Sequence, residues 1–228
     1  FKADGSITLI KGRNHNVMVD TGCPTDRDCI LKGNLTPDQI DYVVCTHGHV
    51  DHVGNLNLFQ NATHIVGYDI CKGDQYMMHD FKGVHPTPGH TMSDVSVLVK
   101  GTEKGTVVIS GNHNVFFPGD LFEMEEDLED SDIWQNQSEN AELQQQNRIE
   151  MLRLADVIIP GHGPAFQVKH EYKRQCSFTM MGNNDEEEIS QVISSLAIHI
   201  RSPQKGHFKG SPPLPHHSSF SLGFTFIG

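Results

Sequence analysis

The amino-acid sequence predicts an α/β fold, and three observations support this prediction. Short apolar runs, such as Tyr42–Cys45 and residues 95–99, have the length and composition of β-strands. Residues 140–154 instead carry their leucines and isoleucine at helical spacing. A group of polar residues follows directly after Tyr42–Cys45, at the end of a predicted strand, where open α/β sheets place their functional sites.

The remaining elements follow from the same patterning. The sequence predicts further strands at residues 6–10, 16–19, 63–66, 106–110 and 156–159, and helical segments at residues 24–31, 36–40 and 53–59. Residues 69–85 are rich in glycine and poorly patterned, so we expect an irregular sheet edge there.

The polar group after Tyr42–Cys45 is the most informative stretch of the chain. His47, His49, Asp51 and His52 are four ligand-type residues within six positions. Backbone alternation directs His47 and His49 to one side, whereas Asp51 and His52 follow a turn and face a different point. A histidine-rich loop that binds nothing is the alternative, but this density at a strand end favours two metal ions with open positions for water.

Composition limits the functions that are compatible with this chain. The formal net charge is −12, and seven of the ten residues from 123 to 132 are acidic. We interpret this run as a solvated loop, and the charge argues against a broad nucleic-acid surface. The five cysteines are scattered without a Cys-x-x-Cys pair, which favours a reducing compartment such as the cytoplasm. We find neither a signal peptide nor a membrane-spanning stretch, although the chain begins with Phe1.

Five motifs together resemble those of the metallo-β-lactamase family. The His-x-His-x-Asp-His signature at residues 47–52 is preceded by Val-Met-Val-Asp-Thr-Gly at 17–22 and followed by Thr-Pro-Gly-His-Thr at 87–91, Gly-Asp at 119–120 and Pro-Gly-His-Gly at 160–163. The resemblance implies an αββα sandwich over residues 1–168. Because the family has one or two further strands before residue 6, we expect N-terminal strands to be missing.

The family resemblance also implies a set of metal ligands. His47, His49 and His90 would bind one divalent ion, Asp51, His52 and His162 would bind the second, and Asp120 would bridge both. Zinc is the default ion, and iron or manganese also suits histidine and carboxylate ligands. A metal-bridging hydroxide would hydrolyse the substrate, with Asp51 helping to orient the attacking water. Asp20 would hold the histidine loop in place.

Two of these assignments have alternatives. The turn at His90 is also compatible with a histidine that binds nothing, and its place after the signature favours a ligand. Asp120 is preceded by two candidate strands, residues 107–111 and residues 115–117. If residues 115–117 form the strand that leads to the site, Asp120 reaches the metals. If residues 107–111 form that strand, Asn112 takes the ligand position. We favour Asp120, because a carboxylate can hold two cations.

Residues 169–228 resemble no part of the family. Their later part mixes proline, glycine, histidine and serine, and only 36% of the whole chain is hydrophobic. We therefore expect a disordered tail, in which His216 and His217 bind no metal.

The substrate follows only from the resemblance to one glyoxalase II-like branch of the family. That branch implies an endoribonuclease that acts on histone pre-mRNA 3′ ends, located in cytoplasm and nucleus, and homodimeric. A hydrolase of a small thioester is the first alternative to an RNA substrate. A non-catalytic protein with an impaired metal site is the second. No membrane partner is expected.

Overall fold

The computed structural model describes residues 4–12, 14–33, 36–73, 75–76, 84–102, 113–174 and 223–227. These residues form two β-sheets that face each other, with helices on the outer sides. The predicted αββα sandwich is therefore confirmed. None of the helices in these ranges combines the length and hydropathy needed to cross a lipid bilayer.

The first sheet carries the signature loop. Its strands, in chain order, are β1 (Ile7–Lys11), β2 (Asn16–Val19), β3 (Tyr42–Cys45), β4 (Thr63–Val66), β5 (Asp69–Lys72) and β6 (Gln75–Tyr76), and the described residues at the end of the chain contribute one more strand. The spatial order is that last strand, then β1 to β6 in sequence. Strands β2, β3 and β4 run parallel, so their carboxyl ends lie at one edge of the sheet.

The second sheet carries the later ligand motifs. It contains β7 (Val84–Pro86), β8 (Val95–Thr102), β9 (His113–Gly119), β10 (Val157–Pro160) and β11 (Phe166–Gln167), in the spatial order β11-β10-β9-β8-β7. Strands β9 and β10 are parallel neighbours. Their carboxyl ends therefore lie at the same edge, which brings the residues after each strand together.

The described residues include the helices α1 (Arg27–Leu31), α2 (Val50–Val53), α3 (Asp132–Gln135) and α4 (Ala141–Leu154), which lie outside the sheets. Short 3-10 turns occupy Pro24–Asp26, Pro37–Gln39, Leu56–Leu58 and Glu125–Leu128. The helix predicted over residues 140–154 is confirmed. Its first turn is capped by Asn140, whose side-chain oxygen accepts a hydrogen bond of 3.0 Å from the Leu143 amide.

Strand alternation divides the buried side chains among three layers. Val44 and Phe117 point between the two sheets. Their neighbours point outward: Val43 packs with Ile30 and Phe59, whereas Phe116 packs with the apolar side of α4. The period of two along each strand thus supplies both the central core and the surfaces that hold the helices.

The single helix predicted over residues 53–59 is wrong. Helix α2 starts earlier and ends at Val53, and only a 3-10 turn follows it. The Gly54 amide donates to the Gly22 carbonyl at 2.9 Å, and the Asn55 side chain donates to the Cys23 carbonyl at 2.6 Å. These bonds to the loop after β2 replace helical bonds and dock the signature onto that loop.

The acidic run at residues 123–132 was predicted to be solvated, and this is wrong for two of its members. Glu123 and Asp127 are only 1% and 2% exposed. A sequence pattern does not distinguish these two from their exposed neighbours, because the partners that bury them lie far away in the chain.

Most of the predicted disordered tail lies outside the described residues. Within it, residues 170–174 are helical, and Tyr172 is buried and donates a hydrogen bond of 2.7 Å to Glu125. Strand β12 (Gly223–Ile227) pairs antiparallel with β1 at the edge of the first sheet. Residues 175–222, which include His216 and His217, lie outside the described ranges, so their disorder stays a prediction. The strand predicted at residues 106–110 also lies outside these ranges.

Candidate metal centre

The candidate site lies where the carboxyl ends of strands from both sheets meet. His47 follows β3, Asp120 follows β9, and His162 comes two residues after β10. His90 lies in the turn between β7 and β8. Residues that are widely separated in sequence therefore reach one point, as expected for ligands at strand ends.

The first group consists of His47, His49, His90 and Asp120. One side-chain nitrogen or oxygen from each lies within 4.8 Å of those of the others. His90 Nε2 is 3.1 Å from His49 Nδ1, and Asp120 Oδ2 is 3.5 Å from Nε2 of both His47 and His90. Three nitrogens and one carboxylate oxygen at this spacing can hold a divalent ion.

The second group consists of Asp51, His52 and His162, with the same limit of 4.8 Å between their polar atoms. Asp120 also borders this group: its Oδ2 is 3.3 Å from His162 Nε2, and its Oδ1 is 3.2 Å from His52 Nε2. The structure thus divides the seven predicted ligands as expected, with Asp120 between the two groups. Their assignment as ligands stays a prediction.

The position of Asp120 depends on which strand takes the central place in the second sheet. Strand β9 lies between β8 and β10 and ends at Gly119, so Asp120 is delivered directly to the site. Gly161 leaves room for the carboxylate, because a Cβ at that position would overlap Asp120 Oδ1. Asn112, the alternative, lies outside the described residues.

The donor atoms fit a metal because several of them have no other partner. His47 Nε2, His52 Nε2 and Asp120 Oδ1 are buried and make no hydrogen bond within the described part of the chain. Buried polar groups are normally paired, since an unpaired group costs about 1–3 kcal/mol. Cations between these atoms would satisfy them together.

Asp20 holds the signature loop from behind. Its Oδ1 accepts a hydrogen bond of 2.8 Å from the Thr46 amide, and its Oδ2 accepts one of 2.9 Å from His52 Nδ1. Asp20 has a positive φ of 57°, an unfavourable conformation for a non-glycine residue. These bonds offset that cost and leave His52 Nε2 facing the site, as predicted for an orienting carboxylate.

The charges in the site are strongly coupled. Burial, together with the neighbouring His52, lowers the pKa of His47 to about 2, so that this ring is neutral and ready to bind a cation. Burial opposes protonation of His162 as well, but Asp120 outweighs it and raises the pKa of His162 to about 9. Metal binding therefore has to displace a proton from His162.

Glu123 also belongs to this site, although it was not among the predicted ligands. Its carboxylate lies within 4.8 Å of the polar atoms of Asp120 and His162. Burial, and then the negative charge of Asp120, raise the pKa of Glu123 to about 8. Its place in the motif Gly-Asp-Leu-Phe-Glu, which ends at residue 123, was the available signal, but the acidic residues that follow obscured it.

Helix α4 supports the segment that carries Asp120 and Glu123. Gln144 Nε2 donates to the Asp120 carbonyl at 3.0 Å, and Arg148 Nη1 donates to the Leu121 carbonyl at 2.7 Å. Arg148 also pairs with Asp127 through both guanidinium ends. These contacts fix the backbone after β9 against a helix that carries no predicted ligand.

The turn that presents His90 is closed by Asp94. The Asp94 carboxylate accepts hydrogen bonds of 2.7 Å from both the amide and the hydroxyl of Thr91. On the other side, Gly89 packs so closely on Gln144 that a Cβ would collide with its Cα. These contacts hold the backbone of the turn that presents His90.

Asp94 is expected to make stability depend on pH. Burial raises its pKa from 3.8 to about 7, so the folded protein resists ionisation that the unfolded chain undergoes. Folding stability from this group is therefore lost as the pH rises from about 4 to about 7. Compared with Asp94→Asn, the wild-type free energy of unfolding should fall by about 2–3 kcal/mol between pH 5 and pH 8. Urea denaturation of both proteins measures this difference, and a difference that does not change with pH would contradict it.

Comparison with known proteins gives the family. Residues 3–70 match the family model of the metallo-β-lactamase superfamily. Metallo-β-lactamase domain-containing protein 1 of Xenopus laevis is 47% identical over 188 residues, which cover 75% of this chain and 76% of the relative. The chain belongs to the metallo-β-lactamase superfamily.

Other superfamily members agree with this assignment. Metallo-β-lactamase domain-containing protein 1 of Homo sapiens is 39% identical over 200 residues, covering 80% of this chain and 70% of that protein. The crystal structure of a probable metal-dependent hydrolase from Staphylococcus aureus has a TM-score of 0.53 at 17% identity, covering 72% of this chain and 77% of that chain. The predicted metallo-β-lactamase fold is thus confirmed, and the branch that the sequence motifs resemble is that of metallo-β-lactamase domain-containing protein 1.

Proposed function

We propose that this metallo-β-lactamase superfamily member is a metal-dependent hydrolase that uses two divalent ions. One observation carries the proposal: the carboxylate of Asp120 lies within 3.2–3.5 Å of nitrogens from both groups of candidate ligands. A single carboxylate between two clusters is the arrangement that a pair of adjacent cations requires. Zinc is the ion we propose, because histidine predominates among the ligands.

The chain's own residues have distinct tasks in this proposal. When bound, two such ions lower the pKa of a shared water toward ~7 and neutralise charge that develops on the substrate. Burial keeps the pKa of His47 low, so this ring stays neutral. Burial alone would raise the pKa of Asp120, but the neighbouring His162 and His52 outweigh it and hold that pKa well below 3.8, so Asp120 stays charged. We assign to Asp51, whose Oδ2 lies 3.7 Å from His162 Nε2, the task of orienting the attacking water. Because water is the attacking group in this proposal, no protein nucleophile is required.

We propose RNA as the substrate, with the phosphodiester bond as the bond that is hydrolysed. Support comes from the motifs shared with the glyoxalase II-like branch and from the openness of the signature loop. Gly48, His49 and Val50 are exposed, and apart from its chain neighbours no described residue has an atom within 4 Å of a Cβ built on Gly48. A site with an open rim can receive a segment of a polymer. Processing of histone pre-mRNA 3′ ends, a homodimer, and location in cytoplasm and nucleus belong to this proposal.

A small thioester is the second candidate substrate, and charge is the observation that favours it. The net charge of −12 repels a polyanion. Two cations that contact the acidic run at residues 123–132 are also engaged: Arg148 pairs with Asp127, and Lys169 pairs with Glu125 at 3.0 Å. Neither is free to bind phosphates.

The two substrates can be separated with one set of proteins. The zinc-loaded chain is incubated with single-stranded RNA and, separately, with S-lactoylglutathione, before and after removal of metal by a chelator. His47→Ala is compared with His15→Ala, because His15 is a half-exposed histidine outside the site. We expect RNA cleavage that disappears with the chelator and in His47→Ala but persists in His15→Ala.

Other outcomes discriminate among the alternatives. RNA cleavage that survives both the chelator and His47→Ala would be due to a contaminant and would reject the RNA proposal. Metal-dependent turnover of the thioester alone would assign the second candidate substrate. A zinc-loaded protein that hydrolyses neither would favour the non-catalytic alternative.

A further inference from the structure

Glu123 is a buried carboxylate next to the candidate metal centre, and its backbone is fixed on both sides. Its amide donates a hydrogen bond of 2.7 Å to Asp127, and its carbonyl accepts one of 2.9 Å from the His162 amide. Only 1% of the residue is exposed. The side chain is therefore held in the site and does not extend into solvent as Glu126 and Glu129 do.

The carboxylate of Glu123 faces two candidate ligands. Its Oε1 is 3.9 Å from His90 Nδ1, and its Oε2 is 3.8 Å from His162 Nε2. Glu123 Oε1 and His90 Nδ1 are both buried, and neither makes a hydrogen bond within the described part of the chain. Two unpaired polar atoms thus face each other at a distance that a shift of about 1 Å would convert into a hydrogen bond.

The orientation of His90 gives this pair a role. His90 Nε2 is directed to the site, at 3.1 Å from His49 Nδ1 and 3.5 Å from Asp120 Oδ2. A histidine that binds a metal through Nε2 keeps its proton on Nδ1, and a buried N–H requires an acceptor. Glu123 Oε1 is an unpaired acceptor in the appropriate place.

We propose that Glu123 is a positioning residue of the metal centre, which accepts a hydrogen bond from His90 Nδ1 and so fixes the tautomer and orientation of that ring. This inference rests on the proposed function, because it assumes that His90 binds a metal. It explains why a carboxylate is buried only three residues after Asp120, where the two negative charges repel each other in the absence of cations.

The proposed role predicts that loss of the Glu123 carboxylate weakens metal binding without lowering the stability of the metal-free protein. Glu123→Leu should weaken zinc binding about 10- to 100-fold, the usual effect of losing an outer-shell partner. Glu123→Gln keeps a side-chain oxygen that can accept from His90, so the loss should be less than about 10-fold. The melting temperature of the metal-free protein should not fall in either variant, because each replaces a buried carboxyl group whose Oε1 makes no hydrogen bond within the described part of the chain.

The experiment measures zinc affinity by competition with a chromophoric chelator, the visible absorption of the cobalt-substituted protein, and the melting temperature of the metal-free protein. Glu125→Leu is the control, because Glu125 lies two residues away and bonds to Tyr172 and Lys169 instead of the site. Weaker zinc binding and an altered cobalt spectrum in Glu123→Leu, with recovery in Glu123→Gln and no change in Glu125→Leu, would support the inference.

Three results would overturn it. Unchanged zinc affinity and cobalt spectrum in Glu123→Leu would remove the role of Glu123 while leaving the proposed function intact. Weaker binding accompanied by a lower melting temperature of both metal-free Glu123 variants would indicate a structural role only. A wild-type protein that binds no zinc would reject the proposed function itself and this inference with it.

Discussion

Replacing Asp120 by alanine is expected to lower the metal content from about two ions per chain to one or fewer, and to reduce hydrolysis at least about 100-fold. Asp120 Oδ2 lies 3.5 Å from His47 Nε2 and 3.3 Å from His162 Nε2, so one side chain serves both groups of candidate ligands. Without it, the cations lose the charge that holds them together, and their positive charges repel each other.

Metal content is measured by elemental mass spectrometry on the purified protein. Asp120→Asn retains the shape of the side chain but not its charge, and we expect it to lose metal as well. Asp28→Ala is the control, because the Asp28 side chain is 76% exposed and pairs only weakly with Arg27. An unchanged metal content in Asp120→Ala would mean that Asp120 is not a ligand, and it would favour the non-catalytic alternative.

Replacing Arg148 by methionine is expected to lower the free energy of unfolding by about 3–5 kcal/mol, the usual cost of leaving a buried charge without its partner. Arg148 is 3% exposed and binds the carboxylate of Asp127 and the carbonyl of Leu121. Its guanidinium also lies 4.2 Å from the ring centre of Phe122 and 4.7 Å from that of Trp134. Methionine preserves part of the volume but none of the hydrogen bonds.

Urea denaturation of the metal-free protein measures this loss, with Arg27→Met as the control because Arg27 is an exposed arginine. The double variant Arg148→Met with Asp127→Leu should recover part of the stability, because it removes the charge that would be left unpaired. Zinc affinity should also fall in Arg148→Met, since the segment that carries Asp120 loses its attachment to α4. A loss of less than about 1 kcal/mol would show that the ion pair contributes little.

The sequence alone predicted the fold class and the seven candidate ligands that the structure brings together. Alternation along each strand assigned side chains such as Val43 and Val44 to opposite faces, and the observed packing follows that division. The spacing of His47, His49, Asp51 and His52 likewise set the division into two groups, because directions within six residues are local properties of the backbone.

Tertiary contacts decided the rest. Asp120 reaches the site because β9, and not an earlier segment, lies between β8 and β10, which depends on strand pairing. The predicted helix at residues 53–59 is interrupted because bonds to the loop after β2 replace helical bonds. Burial of Asp127 depends on Arg148, which is 21 residues further along the chain. Glu123 is buried beside His90 and His162. The local sequence around an acidic residue is the same whether its side chain is solvated or buried. Only the side chains that pack against it, which lie far away in the sequence, distinguish the solvated case from the buried one.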